Sequence, residues 1–324
     1  MVGLVILNYN NVSDTLNCIK SVIKYTHCPI KIVLVDNGST KDGVVNQLDE
    51  KLSCDFYGRY LRLQDQDLDK VTVLPIFTFI ISGTNDGYAR GNNKGIKILN
   101  ADSSVDKIMI LNNDVLFTED IIQSLSDKLD SLEDAAIVSP ILYRRDGKTI
   151  DFNCARYNAK RKHEFIKHFF FFSRSIGKAM DKKTSIIKYH EEYLEQPQFE
   201  VELPSGSCML LKKSLVQKIN MFDPSTFLYC EENILYSQIK SLGLKNYVIP
   251  SLSCIHLGGS TTKQESVNVK TLIFIRKCGI ESMNYYLKRY TDASIVYIFF
   301  TKYFSLLEMR IDVFKAHIKN LLLR

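Results

Sequence analysis

The chain has 324 residues, 45% of them apolar, which is enough to bury a full hydrophobic core as one large domain or two fused lobes. Its formal net charge is +6 at pH 7, with 24% charged residues. A basic excess this small indicates nucleic-acid binding only if the basic residues are clustered. We expect no nucleic-acid partner.

The first predicted elements are a buried strand and an amphipathic helix. Residues 3–7 form a continuous apolar run, which predicts a parallel strand buried on both faces. Three polar residues close it: Asn8, Tyr9 and Asn10. Apolar residues then recur at helical steps up to Ile23, which predicts a helix with Ser13 as its N-cap and residues 27–29 as its end.

Two further predicted strands also end in polar turns. Residues 31–35 and 107–111 repeat the continuous apolar pattern. The polar residues that follow them are Asp36, Asn37, Asn112, Asn113 and Asp114. Open α/β sheets bind ligands at the carboxyl ends of their strands, so we expect these ends to converge in an α/β fold. Ordinary turn chemistry is the alternative for each of them.

The stretch of residues 85–95 combines glycines, amides and two cations. This composition lets backbone and side chains approach a diphosphate closely, although its spacing matches neither a Walker A loop nor G-x-G-x-x-G. A flexible loop explains the composition equally well. The candidate contacts are Asn85, Gly87, Arg90, Gly91, Asn92 and Asn93.

Two residues are candidate metal ligands. Asp114 follows a predicted strand, where a carboxylate can hold a hard divalent cation that bridges two phosphates. His256 lies where a strand-like stretch breaks into glycines, and with Asp114 it would complete a mixed oxygen and nitrogen site. The alternative for His256 is a packed or solvated side chain.

Glu231 and Glu232 open an amphipathic helix after the aromatic run of residues 227–229. Acidic residues there stabilise a helix by roughly 0.3–1 kcal/mol through its dipole, without any catalytic role. Alternatively, adjacent like charges beside aromatic surface raise the pKa of a carboxylate towards that of a useful base.

Taken in order, residues 3–262 resemble glycosyltransferase family 2, the inverting enzymes of the GT-A fold, and particularly its bacterial rhamnosyltransferase-like members. Residues 5–11 resemble the family's first strand and loop, and residues 35–39 its nucleotide-contacting strand end. Residues 85–95 resemble its N-x-G-x-A-x-G-N-N-x-G stretch, and residues 111–115 its D-x-D position in the N-x-D form. The implied fold is a Rossmann-like mixed, mostly parallel sheet flanked by helices, with a helical C-terminal extension.

The resemblance also implies roles for individual residues. Residues 204–209 resemble the family's acceptor-side glycine stretch, which implicates Ser205, Gly206 and Ser207. Glu232 occupies the position of the catalytic base, usually Asp in the family, and Glu231 is a rival for that role. His256 with Gly258 and Gly259 resembles the family's H-x-G-G segment. The metal role carries over to Asp114 only, because Asn112 replaces the first acid, and magnesium or manganese is the implied ion.

The implied activity is inverting transfer of a sugar from a nucleoside-diphosphate sugar, with UDP or dTDP, to a hydroxyl of a lipid-linked or polysaccharide acceptor. Synthesis of capsule, O-antigen or another surface polysaccharide is the implied setting. A nucleotidyltransferase acting on sugar phosphates is one alternative, although it requires acids at both ends of the metal motif. A catalytically silent nucleotide-sugar-binding subunit is the other.

Four segments are predicted. Residues 1–140 form the nucleotide-sugar-binding half and residues 201–262 the acceptor-binding half of one GT-A domain. Residues 141–200 are an inserted segment, in which residues 160–188 carry nine Lys or Arg against two acids, interleaved with phenylalanines. Residues 263–324 are mainly helical.

The last segment carries an apolar stripe at helical steps from Val296 to Leu321. By itself this stripe fits contact with a membrane surface, the catalytic core or a second subunit equally well. The basic, phenylalanine-rich residues 160–188 add weight to an anionic membrane or a lipid diphosphate partner. Eight scattered cysteines without a C-x-x-C pair favour reduced thiols in a cytosol, and the apolar runs fall short of the ~20 residues that span a bilayer. We therefore expect a cytoplasmic enzyme, peripheral on the inner face of the plasma membrane.

Overall fold

The computed structural model describes residues 1–160, 166, 169, 174–186, 190–258 and 268–322. The strands are β1 (Val2–Asn8), β2 (Ile30–Asp36), β3 (Tyr60–Gln64), β4 (Phe77–Ile81), β5 (Lys107–Asn112), β6 (Val115–Phe117), β7 (Ala135–Arg144), β8 (Ala155–Arg156), β9 (Phe199–Val201), β10 (Leu203–Pro204), β11 (Cys208–Lys212) and β12 (Lys245–His256). The α-helices are α1 (Val12–Tyr25), α2 (Val44–Asp55), α3 (Gly87–Ala101), α4 (Ile122–Ser131), α5 (Arg174–Thr184), α6 (Lys213–Lys218), α7 (Glu231–Ser241), α8 (Val269–Tyr290) and α9 (Ile295–Leu322).

One large mixed sheet organises the molecule. Its strands follow the order β3-β4-β2-β1-β5-β11-β7-β12-β6, and β9 pairs with β12. The strands from β3 to β5 are parallel, β11 is antiparallel to both β5 and β7, and β12 is parallel to β7. This confirms the predicted mixed, mostly parallel sheet. The predicted segment boundaries stay a prediction, and β7 spans the one at residue 140.

Helices cover both faces of the sheet because side chains of a strand alternate between its faces. Leu4 and Ile6 of β1 pack with α1, α2 and α4, whereas Val5 between them packs with α3, α6 and α7. The predicted helix after β1 is confirmed, but its N-cap is Asn11 rather than Ser13, since the Asn11 side chain accepts from a backbone amide of the first turn.

The C-terminal extension is helical, as predicted. Ile298 of α9 and Tyr286 of α8 share a small core with Ile234 of α7, which fixes the extension to the predicted acceptor-binding half. Much of the basic stretch 160–188 and the glycine at residue 259 lie outside the described residues. Among the helices that the structure describes, none is both long enough and apolar enough to cross a membrane.

Candidate active site

The polar ends of β1, β2 and β5 meet at one edge of the sheet, as the sequence predicts. Asn8 donates through Nδ2 to Asp36 Oδ2 at 2.7 Å. Asn113 donates to Asn8 Oδ1 at 3.3 Å and to Thr15 Oγ1 at 2.8 Å. Because β1 pairs in register with both β2 and β5, the three strand ends lie side by side.

Most of this network is buried and shapes the loops around the site. Asn8 and Asp36 are fully buried, and the Asp36 carboxylate also accepts from the turn that follows it. The Asn10 side chain accepts from two backbone amides of the same turn, both at 2.8 Å. Tyr9 is 44% exposed at the rim. Nucleotide contacts by these residues stay predictions, and Tyr9 is the one that offers an exposed ring.

Asn37 ties the start of α3 to the end of β2. Its Nδ2 donates to Asn85 Oδ1 and to Gly87 O, both at 3.0 Å, and its Oδ1 accepts from the Asp86 amide at 3.2 Å. Gly87 has a φ of +80°, and a Cβ there would lie 2.1 Å from Phe227 O. Only glycine therefore lets α3 begin this close to the Phe227 backbone.

Residues 87–95 form the first half of α3, so the flexible-loop alternative is wrong. Gly91 packs on β1, where a Cβ would lie 2.7 Å from a leucine methyl, and Asn92 is 1% exposed. Asn93 and Arg90 bind backbone groups of residues 222–224. Arg90 and Asn93 thus tie α3 to residues 222–224, whereas Gly91 packs against β1 and the Asn92 side chain donates to Tyr88 O within α3 itself. A phosphate contact stays a prediction, best placed on the exposed Arg90.

An antiparallel pairing brings the predicted acceptor loop to the predicted metal strand. Cys208 of β11 lies opposite Leu111 of β5. The Asn112 amide therefore donates to Ser207 O at 2.9 Å, and Asn112 Nδ2 donates to Ser207 Oγ at 3.2 Å. Asn112 thus supports the acceptor loop from the metal side.

A second pairing places the two candidate metal ligands together. β12 runs antiparallel to β6, with His256 opposite Val115, and the Leu257 amide donates to Asp114 O at 2.8 Å. In this register His256 Nε2 lies 3.3 Å from Asp114 Oδ1. Two residues 142 positions apart in sequence therefore meet, as the sequence predicts.

The other nitrogen of His256 meets a residue that the sequence does not point to. Asp151 Oδ2 lies 2.7 Å from His256 Nδ1. Burial acts to lower the pKa of His256, but hydrogen bonds and charges from Asp114 and Asp151 outweigh it and raise this pKa from 6.5 to about 9. Among the described residues no three His, Cys, Asp or Glu side chains are arranged to hold a metal ion. Asp114 and His256 would therefore supply two ligands.

Glu232 faces the acceptor loop from the opposite side. Its Oε1 accepts from the Gly206 amide at 3.2 Å, while Tyr88 donates to Gly206 O at 2.7 Å. A Cβ on Gly206 would lie 2.9 Å from Tyr88 Oη and 3.0 Å from Glu232 Oε1, so a side chain here would displace one or both of these groups. This contact fixes the Glu232 carboxylate beside residues 205–207.

Glu231 points elsewhere. It is 7% exposed, lies near Phe222 and Leu235, and its Oε1 has no hydrogen-bond partner within the described chain. Burial, followed by the nearby charge of Glu232, raises the pKa of Glu231 to about 8. The two neighbouring glutamates therefore differ in exposure and in contacts, which the sequence pair does not reveal.

Sequence reasoning missed two residues of this site. Asp151 belongs to the predicted insertion, and no spacing connects it to His256, 105 positions away. Tyr88 lies inside the recognised stretch 85–95, where only its polar hydroxyl in a helix start hinted at a contact. Both act through backbone or side-chain partners that only the fold supplies.

Comparison with known proteins agrees with this architecture. The profile of Glycosyl transferase family 2 matches residues 4–219, about two thirds of the chain. The N-acetylglucosaminyl-diphospho-decaprenol L-rhamnosyltransferase of Mycobacterium tuberculosis is 24% identical over 247 residues, covering 74% of this chain and 70% of the relative. The low-salt glycan biosynthesis hexosyltransferase Agl10 of Haloferax volcanii is 27% identical over 156 residues, covering 48% of this chain and 43% of the relative.

Two solved structures share the fold. GalNAc-T7, solved with UDP, GalNAc and Mn²⁺, superposes with a TM-score of 0.57 at 15% identity. The match covers 97% of this chain and 54% of the GalNAc-T7 chain, so this chain spans about half the length of GalNAc-T7. The mannosyltransferase PcManGT of Pyrobaculum calidifontis, solved in complex with GDP-Man and Mn²⁺, superposes with a TM-score of 0.52 at 11% identity. The match covers 98% of this chain and 73% of that chain. They confirm the GT-A fold, and the family match together with the relatives favours a glycosyltransferase over the nucleotidyltransferase alternative. The chain is a glycosyltransferase and belongs to glycosyl transferase family 2.

Proposed function

We propose that this enzyme transfers a sugar, with inversion, from a UDP- or dTDP-sugar to a hydroxyl of a lipid-linked acceptor. The observation that carries the proposal is the loop of residues 205–207. Ser207 Oγ lies 3.4 Å from His256 Nε2, and the Gly206 amide lies 3.2 Å from Glu232 Oε1. One short loop thus joins the candidate metal ligands to the candidate base.

Asp114 and His256 suit a divalent ion such as Mg²⁺ or Mn²⁺. A carboxylate oxygen and an imidazole nitrogen 3.3 Å apart offer two converging donors, and diphosphate oxygens and water would complete the set. When bound, the ion supplies Lewis-acid stabilisation of the charge on the leaving diphosphate. Asn112 supplies no second carboxylate and instead holds Ser207.

Glu232 is the proposed general base. Its carboxylate is half-buried and held at one oxygen by the Gly206 amide, which leaves the second oxygen for the acceptor hydroxyl. A base on the face of the sugar opposite the leaving group gives inversion in a single displacement. Positioning of both substrates supplies much of the remaining acceleration. Glu231 is buried away from the loop, which supports Glu232 over its neighbour.

The relatives support a proposal for the acceptor and the biological setting by analogy. The mycobacterial relative is by name a rhamnosyltransferase acting on an N-acetylglucosaminyl-diphospho-decaprenol, and the archaeal relative a hexosyltransferase of glycan biosynthesis. By analogy we propose a rhamnosyl or hexosyl donor, a lipid-linked glycan acceptor, and a role in capsule or other surface polysaccharide synthesis.

The test separates the base from its neighbour. Glu232→Gln should lower kcat by about 100-fold to 10,000-fold, the usual contribution of a general base, while leaving nucleotide affinity nearly intact. Glu231→Gln is the matched control, adjacent in sequence and equal in chemical change, and should retain most activity. Release of UDP or dTDP with Mn²⁺ measures turnover. Loss of nucleotide binding in Glu232→Gln, or equal losses of turnover in both variants, would refute the assignment of the base. An unaltered protein that shows no turnover would favour a non-catalytic subunit.

A membrane surface is the proposed partner of α9. Large apolar side chains are exposed along one face, and the acids of α9 lie on the other, where Asp312 and Glu308 pair with Arg276 of α8. The exposed apolar residues are Ile295, Val296, Phe299, Phe300, Tyr303, Phe314, Ile318 and Leu321. The cations of this helix are also exposed: Lys302, Arg310, Lys315 and Lys319. Apolar surface bordered by cations suits the anionic inner face of a plasma membrane.

Vesicle co-sedimentation tests this partner. Phe299 and Phe314 are 63% and 65% exposed, so Phe299→Glu combined with Phe314→Glu should abolish binding to phosphatidylglycerol vesicles without unfolding. Tyr57→Glu combined with Val73→Glu is the control, since these residues are 89% and 76% exposed outside α9. Binding unchanged by the α9 pair would refute a membrane contact through this face. A halved mass in solution for that pair would instead identify a second copy as the partner.

A further inference from the structure

Asp151 contacts the candidate metal pair without being a ligand itself. Its Oδ2 lies 2.7 Å from His256 Nδ1, whereas the candidate ligand atoms are His256 Nε2 and Asp114 Oδ1. An ionised carboxylate only accepts hydrogen bonds, so His256 Nδ1 must carry a hydrogen and donate a hydrogen bond to Asp151. Nε2 faces the Asp114 carboxylate, so it is the nitrogen that would give up its proton to a bound metal.

Asp151 is itself held in one orientation. Its second oxygen accepts from the Asn153 amide at 3.0 Å, its own amide donates to Leu142 O at 2.7 Å, and its carbonyl accepts from the Cys154 amide at 3.0 Å. The side chain is 13% exposed. A largely buried carboxylate that is held by one amide, on a backbone fixed by two further hydrogen bonds, is suited to orient an imidazole rather than to exchange partners.

We infer that Asp151 is a positioning residue that holds His256 in the tautomer and ring orientation needed to ligate a divalent metal through Nε2. Imidazole ligands commonly donate their other N–H to a carboxylate, and loss of that partner weakens metal affinity by about 10-fold to 100-fold. The inference rests on the proposed function, because it requires a metal at Asp114 and His256. It assigns a metal-site role to the segment that the sequence presents only as an insertion.

Mn²⁺ titration followed by the electron paramagnetic resonance of the free ion, with UDP or dTDP present, measures affinity directly. Asp151→Ala should weaken Mn²⁺ binding by about 10-fold to 100-fold. Asp151→Asn, which keeps an accepting oxygen, should restore part of that loss. Asp146→Ala is the matched control: Asp146 also caps a turn of this segment, through the amides of Lys148 and Thr149, with no hydrogen bond to His256. It should bind Mn²⁺ as the unaltered protein does.

A double-mutant cycle decides whether Asp151 acts through His256. In a His256→Ala background, Asp151→Ala should cost no further affinity, because the oriented ring is already gone. A further loss of equal size in that background, or unchanged affinity in Asp151→Ala alone, would overturn the inference while leaving the proposed function in place. An unaltered protein that neither binds Mn²⁺ nor releases nucleotide would overturn both.

Discussion

Glu231 gives the sharpest stability prediction. The fold takes its carboxyl group out of water, chiefly by burial and secondly beside the charge of Glu232, and raises its pKa from 4.5 to about 8. An unfolded chain has no such environment, so its Glu231 ionises near 4.5. Between these two values the folded protein binds more protons than the unfolded protein, and its stability falls as the pH rises.

The size of the effect follows from the two pKa values. Each pH unit between them costs about 1.4 kcal/mol, so the penalty is roughly 3 kcal/mol near pH 7 and approaches roughly 5 kcal/mol above about pH 8. Glu231→Gln cannot ionise and should escape the penalty. The variant should therefore match the unaltered protein near pH 4.5 and exceed its free energy of unfolding by a few kcal/mol near pH 8, less whatever the buried amide loses by lacking a partner.

Urea unfolding of both proteins at a series of pH values from about 5 to about 9 is the assay. The quantity of interest is the difference in free energy of unfolding, since groups common to both proteins cancel. Glu232→Gln serves as a comparison, because removing the second charge should lower the folded-state pKa of Glu231, so that the fall of stability ends at a lower pH and is smaller in total. A difference between Glu231→Gln and the unaltered protein that stays constant over this range would refute the reasoning.

Two glycine substitutions test the close approaches. Gly206→Ala places a Cβ within 3.0 Å of Tyr88 Oη and Glu232 Oε1, so turnover should fall at least 10-fold with little change in nucleotide affinity. Gly83→Ala is the control, because a Cβ at residue 83 meets nothing within 4 Å. Full activity of Gly206→Ala would contradict the loop geometry. Gly95→Ala places a Cβ 2.6 Å from the stiff Val5 side chain, so thermal unfolding should show a loss of about 1–3 kcal/mol from overpacking, reduced by up to about 1 kcal/mol of helix propensity. Gly177→Ala, in an open helical position, should be neutral or stabilising, and equal behaviour of the two helical variants would exclude overpacking.

Local pattern determined much of the fold. Continuous apolar runs marked β1, β2 and β5, because a strand buried on both faces needs apolar side chains at every position. Helical spacing marked α1 and α4, whose apolar faces are buried, and also α9, whose apolar stripe is largely exposed. The order of polar strand ends then predicted a ligand-binding edge, and the ends meet there.

Composition alone was ambiguous for residues 87–95, because glycine is common both in flexible loops and at positions of close packing. Residues 87–95 have the content of a flexible loop, yet they form the start of α3 because Gly91 and Gly95 let that helix approach β1 more closely than any side chain allows. The sequence shows that a position lacks a Cβ, but not whether a ligand or a neighbouring strand fills the space. Only the packed structure distinguishes these cases.

The sequence by itself determined the chemistry available to this protein: Asp114, His256 and Glu232 stand out because few residue types ligate metals or accept protons, and each lies at the end of a regular element. Tertiary structure alone decided how these groups are used. The β12 register set His256 beside Asp114, and the predicted insertion brought Asp151 to its other nitrogen. The turn into α7 left Glu232 half-buried beside Gly206 while it buried Glu231. Some of these outcomes depend on pairing or contact between residues more than a hundred positions apart, and the last depends on the direction in which one side chain points. Local spacing in the sequence encodes neither of these.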